Sequence, residues 1–207
     1  MFHDPRHDAH GLAHGPWMAL IAPRPIAWIS TVSAEGLRNL APYSAFNTVA
    51  SKPPFVMFSS DGPKDTLANI EATGEFCVNI PGDDLKEAMN ATSGSYPPEV
   101  DEFAIAGVTP APCTNIAAPR VAEAPISIEC RLNQIVRLTP STGAPCHNRV
   151  VFGEVVGIHI ADRILRDGKI ATDLLRPLAR LGYRDYCTVT ETFEMIRPQV
   201  EQTGTRT

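Results

Sequence analysis

A short polar segment, placed between an apolar run and a helical pattern, carries the residues with the clearest chemistry. It offers three hydroxyl groups and one ammonium group, from Ser59, Ser60, Thr66 and Lys64. A helix N-terminus has free backbone N–H groups and the positive end of the helix dipole, so it attracts anions. Lys64 adds a full positive charge just before the predicted helix. The segment therefore predicts a site for the phosphate group of a ligand.

The same segment can also be interpreted as an ordinary strand, turn and helix. In that case Asp65 or Thr66 would act as the N-cap of the helix. Asp65 does not suit direct contact with a phosphate, because two negative charges repel each other, so we assign it a role in capping the helix or orienting Lys64. The sequence contains no GxxxxGK[ST] motif, and the segment therefore does not indicate nucleotide hydrolysis.

Two strand-like runs, residues 25–33 and 37–46, precede this segment and are joined by a turn at residues 34–36. They predict an antiparallel hairpin. Ala41 and Pro42 fall in the middle of the second run, and proline has no N–H to donate to a neighbouring strand. That stretch of backbone is therefore expected to face either a flat ring system or, more simply, solvent at an edge bulge.

The remainder of the chain is predicted to be rich in β-structure. Further elements are expected as strands at residues 55–58, 75–80, 126–138 and 149–160, and as helices or helical turns at residues 83–91 and 173–181. Because residues 55–58 are all apolar, we expect that strand to be buried on both faces. Residues 92–125 form a long excursion rich in Pro, Gly and Ala, which favours a lid over the site or an arm onto a partner.

The composition is that of a globular protein with one domain, or at most two small ones. The chain has 207 residues, of which 43% are hydrophobic and 20% charged. Its formal net charge of −5 gives no support for nucleic-acid binding. No apolar run approaches the ~20 residues of a membrane-spanning helix, so no membrane association is expected. The five cysteines include no CxxC pair and the N-terminus lacks a signal-peptide core, so we expect reduced thiols in a cytoplasmic protein.

A single folded domain is expected over residues 17–196, between a loose tail at residues 1–16 and a C-terminal tail at residues 197–207. The first tail carries four histidines at the spacing of one helix face, which is typical of some metal sites: His3, His7, His10 and His14. Proline and glycine residues interrupt that helix. A loose tail is therefore favoured, and no metal site is predicted.

Several motifs occur in a recognisable order along most of the chain: PRPIAW (23–28), NLAPYSAFN (39–47), PPFVMFSS (53–60), KDTLANI (64–70), GEVVGIHI (153–160) and PLARLGYRDY (177–186). Together they resemble the flavin reductase-like family of FMN-binding split barrels. The resemblance implies a mainly β fold, an antiparallel split β-barrel with a few short peripheral helices. A barrel of so few strands is filled by its own side chains, so a flavin must lie outside it. A second copy of the chain is the simplest cover, which predicts a homodimer with the flavin near the interface.

The resemblance extends the candidate cofactor site beyond the polar segment. Arg24 would aim its guanidinium at a flavin edge or phosphate, although it could equally be a surface cation at a sheet edge. His159 falls in the family's GEV…H pattern, and Tyr183 lies where an aromatic ring can cover the flavin. The predicted FMN-binding residues are Arg24, Thr31, Asn39, Ala41, Pro42, Ser44, Phe46, Ser59, Ser60, Lys64, Asp65, Thr66, His159 and Tyr183. No catalytic side chain is assigned.

The function implied by the resemblance is that of an FMN-binding oxidoreductase similar to flavin reductases. NADH or NADPH would pass hydride to flavin N5, and the electrons would leave to free flavin, to oxygen or to a partner monooxygenase. Two alternatives remain open. One is an electron-transfer protein similar to flavoredoxin, which holds FMN without nicotinamide turnover. The other is a barrel that binds a different phosphorylated ligand and has no redox function.

Overall fold

A computed structural model describes residues 1–7 and 10–198. Most of the predicted C-terminal tail, residues 197–207, lies outside the described residues. Within these described residues there are five short α-helices, α1 Trp17–Leu20, α2 Asp65–Thr73, α3 Lys86–Ala91, α4 Glu102–Ala106 and α5 Thr172–Leu175, with 3-10 turns at Asp83–Leu85 and Asp162–Ile164. The strands are β1 Arg24–Pro25, β2 Ala27–Val32, β3 Arg38–Tyr43, β4 Phe46–Ser51, β5 Pro54–Asp61, β6 Glu75–Ile80, β7 Pro110–Ala111, β8 Arg120–Val121, β9 Ile126–Arg137, β10 Asn148–Ile160, β11 Leu165–Arg166, β12 Lys169–Ile170, β13 Leu178–Arg180 and β14 Tyr186–Thr188.

Seven of these strands form one antiparallel sheet in the order β3-β2-β6-β9-β10-β5-β4. The fold is therefore mainly β with few helices. The predicted hairpin is confirmed as β2 and β3, with Ile29 opposite Ala41. Gly36 makes the turn possible, because its φ of +86° is favourable only for glycine, and its N–H donates to Ser33 O at 3.0 Å.

The two edge strands of this sheet, β3 and β4, are consecutive in the chain and are joined only by Ser44 and Ala45. The sheet must curl so that its first and last strands approach each other at that connection. Phe46 was expected to end the second hairpin strand, and this is wrong, because it opens β4 and pairs with Phe58 of β5. The small residues Ser44 and Ala45 form a bend that the alternating pattern did not reveal.

The main core lies inside the curl of the sheet. Phe58 and Phe76 are fully buried and meet edge to face, with ring centroids 5.7 Å apart. The expectation that residues 55–58 are buried on both faces is wrong. Val56 and Phe58 are buried, whereas Phe55 and Met57 are only half-buried, because one face of β5 points into the core and the other outwards.

Helices α3 and α4 pack with Trp28 on one face of β2, whereas Leu67 and Ile70 of α2 belong to the main core on the opposite face. The fully buried indole of Trp28 donates a hydrogen bond of 2.8 Å to Thr92 Oγ1 at the end of α3. The predicted helix at residues 83–91 is a 3-10 turn followed by α3, and the pattern at residues 173–181 divides into α5 and β13. The 92–125 excursion carries α4, β7 and β8. None of the helices within the described residues is long and apolar enough to cross a bilayer.

Tyr43 offers a direct test of the packing at the end of β3. Its ring is buried against Phe58, and its hydroxyl has no hydrogen-bond partner among the described residues. An unsatisfied buried polar group costs about 1–3 kcal/mol. Tyr43→Phe is therefore expected to leave the free energy of unfolding unchanged or to raise it by about 1 kcal/mol in a urea titration.

Tyr96→Phe is the matched control, because the Tyr96 hydroxyl donates to Ala91 O at 2.9 Å. Removing that hydroxyl should lower the free energy of unfolding by about 1 kcal/mol. The description of Tyr43 is contradicted if the two variants lose the same stability.

Candidate functional site

A cleft of about 430 Å³ opens where the edge strand β3 meets the start of α2. This volume lies within the ~300–1,000 Å³ range of small-molecule sites. The segment that follows α3 and the first residue of α4 form the opposite wall. The lining residues are Asn39, Ala41, Pro42, Tyr43, Pro63, Lys64, Asp65, Thr66, Thr92, Ser93, Gly94, Ser95, Tyr96, Pro98 and Glu102.

A chain of hydrogen bonds fixes the floor of this cleft. Thr66 Oγ1 donates to Asn39 Oδ1 at 2.6 Å, and Asn39 Nδ2 donates to Glu102 Oε1 at 2.9 Å. Glu102 Oε2 in turn accepts the N–H of Leu40 at 3.1 Å. Because all three side chains are buried, each bond is protected from competing water. The network ties α2, β3 and α4 together around the cleft.

The start of α2 brings uncapped backbone groups and a cation to the cleft. Lys64 is the N-cap residue, in an extended conformation, and no side chain accepts a hydrogen bond from the first turn. The interpretation of Asp65 or Thr66 as the N-cap is therefore wrong, since both lie within the helix and Thr66 is bonded to Asn39. The exposed Lys64 places Nζ 6.0 Å from the centre of the Tyr43 ring. This end of the cleft is suited to an anion.

Burial shapes the charges on the opposite wall. Burial raises the pKa of Glu102, although hydrogen bonds from Leu40 N–H and Asn39 partly offset the effect. Burial likewise raises the pKa of the Tyr43 phenol. Lys64 therefore shares the cleft with two carboxylates, those of Asp65 and Glu102.

The structure brings together six of the residues predicted from sequence. These line the cleft directly: Asn39, Ala41, Pro42, Lys64, Asp65 and Thr66. Thr31 lies beneath them, fully buried, and accepts a hydrogen bond of 3.0 Å from Asn69 of α2. Ser60 is also fully buried and bonds to Gly62 O at 3.3 Å.

The remaining residues of the β3–β5 region lie beside the cleft rather than in its lining. The Ser59 hydroxyl accepts from Asn148 Nδ2 at 3.3 Å. Ser44 occupies the bend between β3 and β4, and Phe46 packs its partly buried ring against the main core.

Arg24, predicted to reach the cofactor, is used elsewhere. Its guanidinium donates through Nη1 to Met18 O and to Ile21 O, the latter at 2.6 Å, and through Nη2 to Leu181 O at 2.8 Å. Arg24 is buried and is not part of the cleft lining. Its donors fix the N-terminal helix α1 to the loop after β13.

His159 and Tyr183 also lie outside the lining of the cleft. His159 Nε2 pairs with the buried carboxylate of Glu129 at 2.5 Å. Tyr183 is 52% exposed, has a positive φ of 56°, and contacts the ring of His14 with centroids 5.8 Å apart. The N-terminal segment therefore packs beside the Tyr183 loop.

Sequence reasoning missed one whole wall of the cleft. Residues 92–98 and Glu102 were recognised only as part of a possible lid. The concentration of Ser, Gly and Tyr at residues 93–96 is the signal that could have indicated a ligand wall. Tyr96 is held there by its bond to Ala91 O, and Asp101 caps α4 by accepting the N–H of Phe103 at 3.0 Å.

A second cleft of about 410 Å³ lies between α3 and β14. It contains Lys86 and Arg184, but Asp83 and Glu87 line it as well. Asp83 pairs with Lys86 at 3.6 Å, which reduces the charge available to an anion. The cleft at Lys64 also contains carboxylates, but it lies at the strand–turn–helix segment that the sequence predicts as a phosphate site, and we take it as the candidate for a phosphorylated ligand.

The family model for the flavin reductase-like domain matches residues 18–187, nearly the whole chain. The chain belongs to the flavin reductase-like family. The resemblance read from the motifs is therefore confirmed, and the cleft at Lys64 is the candidate flavin site of a member of this family. The structural neighbours include flavin reductases and other flavoproteins with a split barrel domain.

Three solved structures illustrate the similarity. Component B of nitrilotriacetate monooxygenase from Bacillus cereus is 33% identical, with a TM-score of 0.86 over 94% of this chain and 98% of that one. The flavoredoxin of Desulfovibrio vulgaris (Miyazaki F) is 25% identical, with a TM-score of 0.75 over 84% and 91%. A protein with a split barrel domain from Shewanella frigidimarina, 23% identical with a TM-score of 0.79 over 94% of each chain, shares the fold.

Proposed function

We propose that this protein is an FMN-binding oxidoreductase that takes hydride from NADH or NADPH. One observation carries the proposal. In a chain of the flavin reductase-like family, a cation, an uncapped helix end and a sheet edge interrupted by proline meet at a single cleft. Each feature alone is common, but together they suit an anionic tail joined to a flat ring.

The phosphate of FMN would lie at the start of α2. The backbone N–H groups of the first turn point out of the helix there, and Lys64 is free to bend over the bound group. Thr66 donates its hydroxyl proton to Asn39, so its side chain is part of the cleft floor and its backbone N–H would be the donor to the phosphate. Asp65, in the first turn, interacts favourably with the positive end of the helix dipole.

The ring of FMN would lie along β3. This strand is an edge of the sheet, so Pro42 has a strand neighbour, Trp28 of β2, on one side only. The other side of Ala41 and Pro42 lines the cleft, where no N–H from Pro42 competes with the ligand. A flat ring that forms hydrogen bonds with backbone groups would fit this edge. We interpret the curled sheet as a split barrel, with this edge at the opening of the barrel.

A second copy of the chain would complete the site. Residues 47–51 of β4 are all exposed, and Val49 is 48% exposed. Ile158 and Ile160 on β10 are 58% and 42% exposed. A sheet edge with exposed apolar residues favours association with another chain. We therefore propose a homodimer, which sedimentation equilibrium of the purified protein would test.

Bound FMN would supply the redox chemistry, and this chain would bind it, orient it and exclude water from one side. The similarity to a monooxygenase component B favours a partner monooxygenase as the electron acceptor. The similarity to flavoredoxin favours the alternative, an electron carrier without nicotinamide turnover. The absorbance of NADH and NADPH, followed with and without added FMN, separates the two functions.

The purified protein tests the cofactor directly. It should be yellow, or become so on addition of FMN, and should quench FMN fluorescence with saturation at one FMN per chain. A colourless protein that leaves FMN fluorescence unchanged would contradict the proposal. Binding of FMN without oxidation of NADH or NADPH would leave the flavoredoxin-like alternative as the function.

A further inference from the structure

Three side chains of different chemistry converge on the outer face of the sheet, away from the cleft at Lys64. The Cys113 thiol, the Glu129 carboxylate and the His159 imidazole place their ligand atoms within 4.8 Å of one another. They come from the loop after β7, from β9 and from β10. The proposed flavin chemistry uses none of the three.

Glu129 is held in a fixed position at the centre of this group. It is fully buried, and its Oε1 accepts the N–H of Thr114 at 2.7 Å while its Oε2 accepts the N–H of Asn115 at 2.7 Å. Burial on its own would raise the pKa of Glu129, but these N–H groups and His159 outweigh it and lower the pKa below its usual value. Its two oxygens are thereby held towards the Cys113 loop and His159.

The sheet is shaped to accommodate this carboxylate. Gly157 lies opposite Glu129 on β10, next to a register shift in the ladder. A Cβ at Gly157 would lie 2.9 Å from both Cδ and Oε2 of Glu129 and 3.0 Å from Asn115 Nδ2. Only glycine leaves room for the Glu129 side chain to cross the strand. The loop that carries Cys113 is fixed at the same place, because Asn115 Nδ2 donates to Val156 O at 2.9 Å.

We propose that Cys113, Glu129 and His159 bind a divalent cation of the zinc type, with one coordination position open to solvent. Zinc prefers thiolate, imidazole and carboxylate ligands at about 2.0–2.3 Å in tetrahedral geometry. The ion would replace the hydrogen bond between Glu129 Oε1 and His159 Nε2, and these two atoms would move from 2.5 Å to about 3.3 Å apart to act as tetrahedral ligands. One thiolate and one carboxylate balance its two positive charges. This proposal departs from the sequence-based expectation that the chain has no metal site.

Two of the three proposed ligands, Cys113 and His159, are partly exposed, so an ion can reach the site from solvent. Cys113 is half-buried, and the His159 side chain is 30% exposed. His159 also lines a cleft of about 350 Å³ that includes Arg120. Backbone N–H groups of the 113–117 loop donate to Glu129 and Glu75, and the Cys113 side chain packs beside the buried residues Cys77, Ile116 and Ala118.

Cobalt is the probe for this site, because a thiolate bound to Co²⁺ gives a charge-transfer band in the near ultraviolet. The reduced full-length protein, treated with a chelator and exchanged into metal-free buffer, is titrated with Co²⁺ and read as a difference spectrum so that bound flavin cancels. The expected result is a band that saturates at one Co²⁺ per chain and weakens as the pH is lowered, because coordination releases protons. Cys113→Ser and His159→Gln should each lower the affinity at least tenfold, and Cys113→Ser should abolish the band.

Cys146→Ser is the matched control, because Cys146 is also half-buried but lies outside this group. Its band should equal that of the unchanged protein. Thermal unfolding without metal verifies that Cys113→Ser is folded, and Zn²⁺ should raise the melting temperature of the unchanged protein but not of this variant. A band that is absent from the unchanged protein, that survives Cys113→Ser, or that is unaffected by His159→Gln would overturn the proposal.

Discussion

Lys64→Ala is expected to weaken FMN binding about tenfold to a hundredfold. The substitution removes one charge-assisted contact to the phosphate, worth about 1.5–3 kcal/mol. The free energy of unfolding should be unchanged, because Lys64 is exposed and holds none of the buried polar network. Titration of FMN fluorescence measures the affinity, and a urea titration measures the stability.

Lys86→Ala is the control that also tests the competing location. Lys86 lines the second cleft, where Arg184 offers another cation. Its removal should leave FMN affinity unchanged. Weaker FMN binding in Lys86→Ala together with normal binding in Lys64→Ala would move the phosphate to the cleft between α3 and β14 and contradict our assignment.

Gly153→Ala is expected to destabilise the fold by about 3 kcal/mol. A Cβ at this position would lie 2.3 Å from Phe76 Cζ and 3.2 Å from Cys130 Cβ. Neither neighbour can move away, since Phe76 and Cys130 are both fully buried and Phe76 packs against Phe58. Overpacking of a dense core commonly costs about 1–3 kcal/mol, and a contact this short belongs at the upper end.

Gly15→Ala is the control for the alanine substitution itself. No atom of the described chain lies within 4 Å of a Cβ at Gly15, and its φ is outside the left-handed region. Its melting temperature should match that of the unchanged protein.

The double variant Gly153→Ala with Phe76→Leu should recover part of the stability lost in Gly153→Ala, because the smaller leucine side chain leaves space for the added Cβ. A Gly153→Ala protein of normal stability would contradict the described packing.

The parts of the site that follow from local sequence were predictable. Pro42 marks the sheet edge because it lacks a donor, and Lys64 marks the helix start because a turn precedes an apolar helical pattern. The polar side chain of Asp65 suggested a helix cap. In the structure the Thr66 hydroxyl donates to Asn39, and no side chain caps the start of α2. A single-sequence pattern does not show which of several polar partners is used.

The parts that depend on contacts between distant segments were not predictable. Glu102 reaches Asn39 across 63 residues, and Glu129 reaches His159 across 30 residues. Arg24 illustrates the same point, since its neighbours in sequence suggested a ligand contact and its partner Leu181 is 157 residues away. Burial and pairing of this kind arise from topology, which alternation and spacing leave undetermined.

The three carbonyls gathered by Arg24 have a consequence for the two ends of the folded region. Gly182 packs so closely on α1 that a Cβ there would lie 2.4 Å from Ala19 Cβ, so the contact is steric as well as polar. The Arg24 guanidinium thus joins the N-terminal segment around α1 to the segment after β13 near the C-terminal end of the fold. Order in one segment depends on order in the other, and both should open and close as a single cooperative unit.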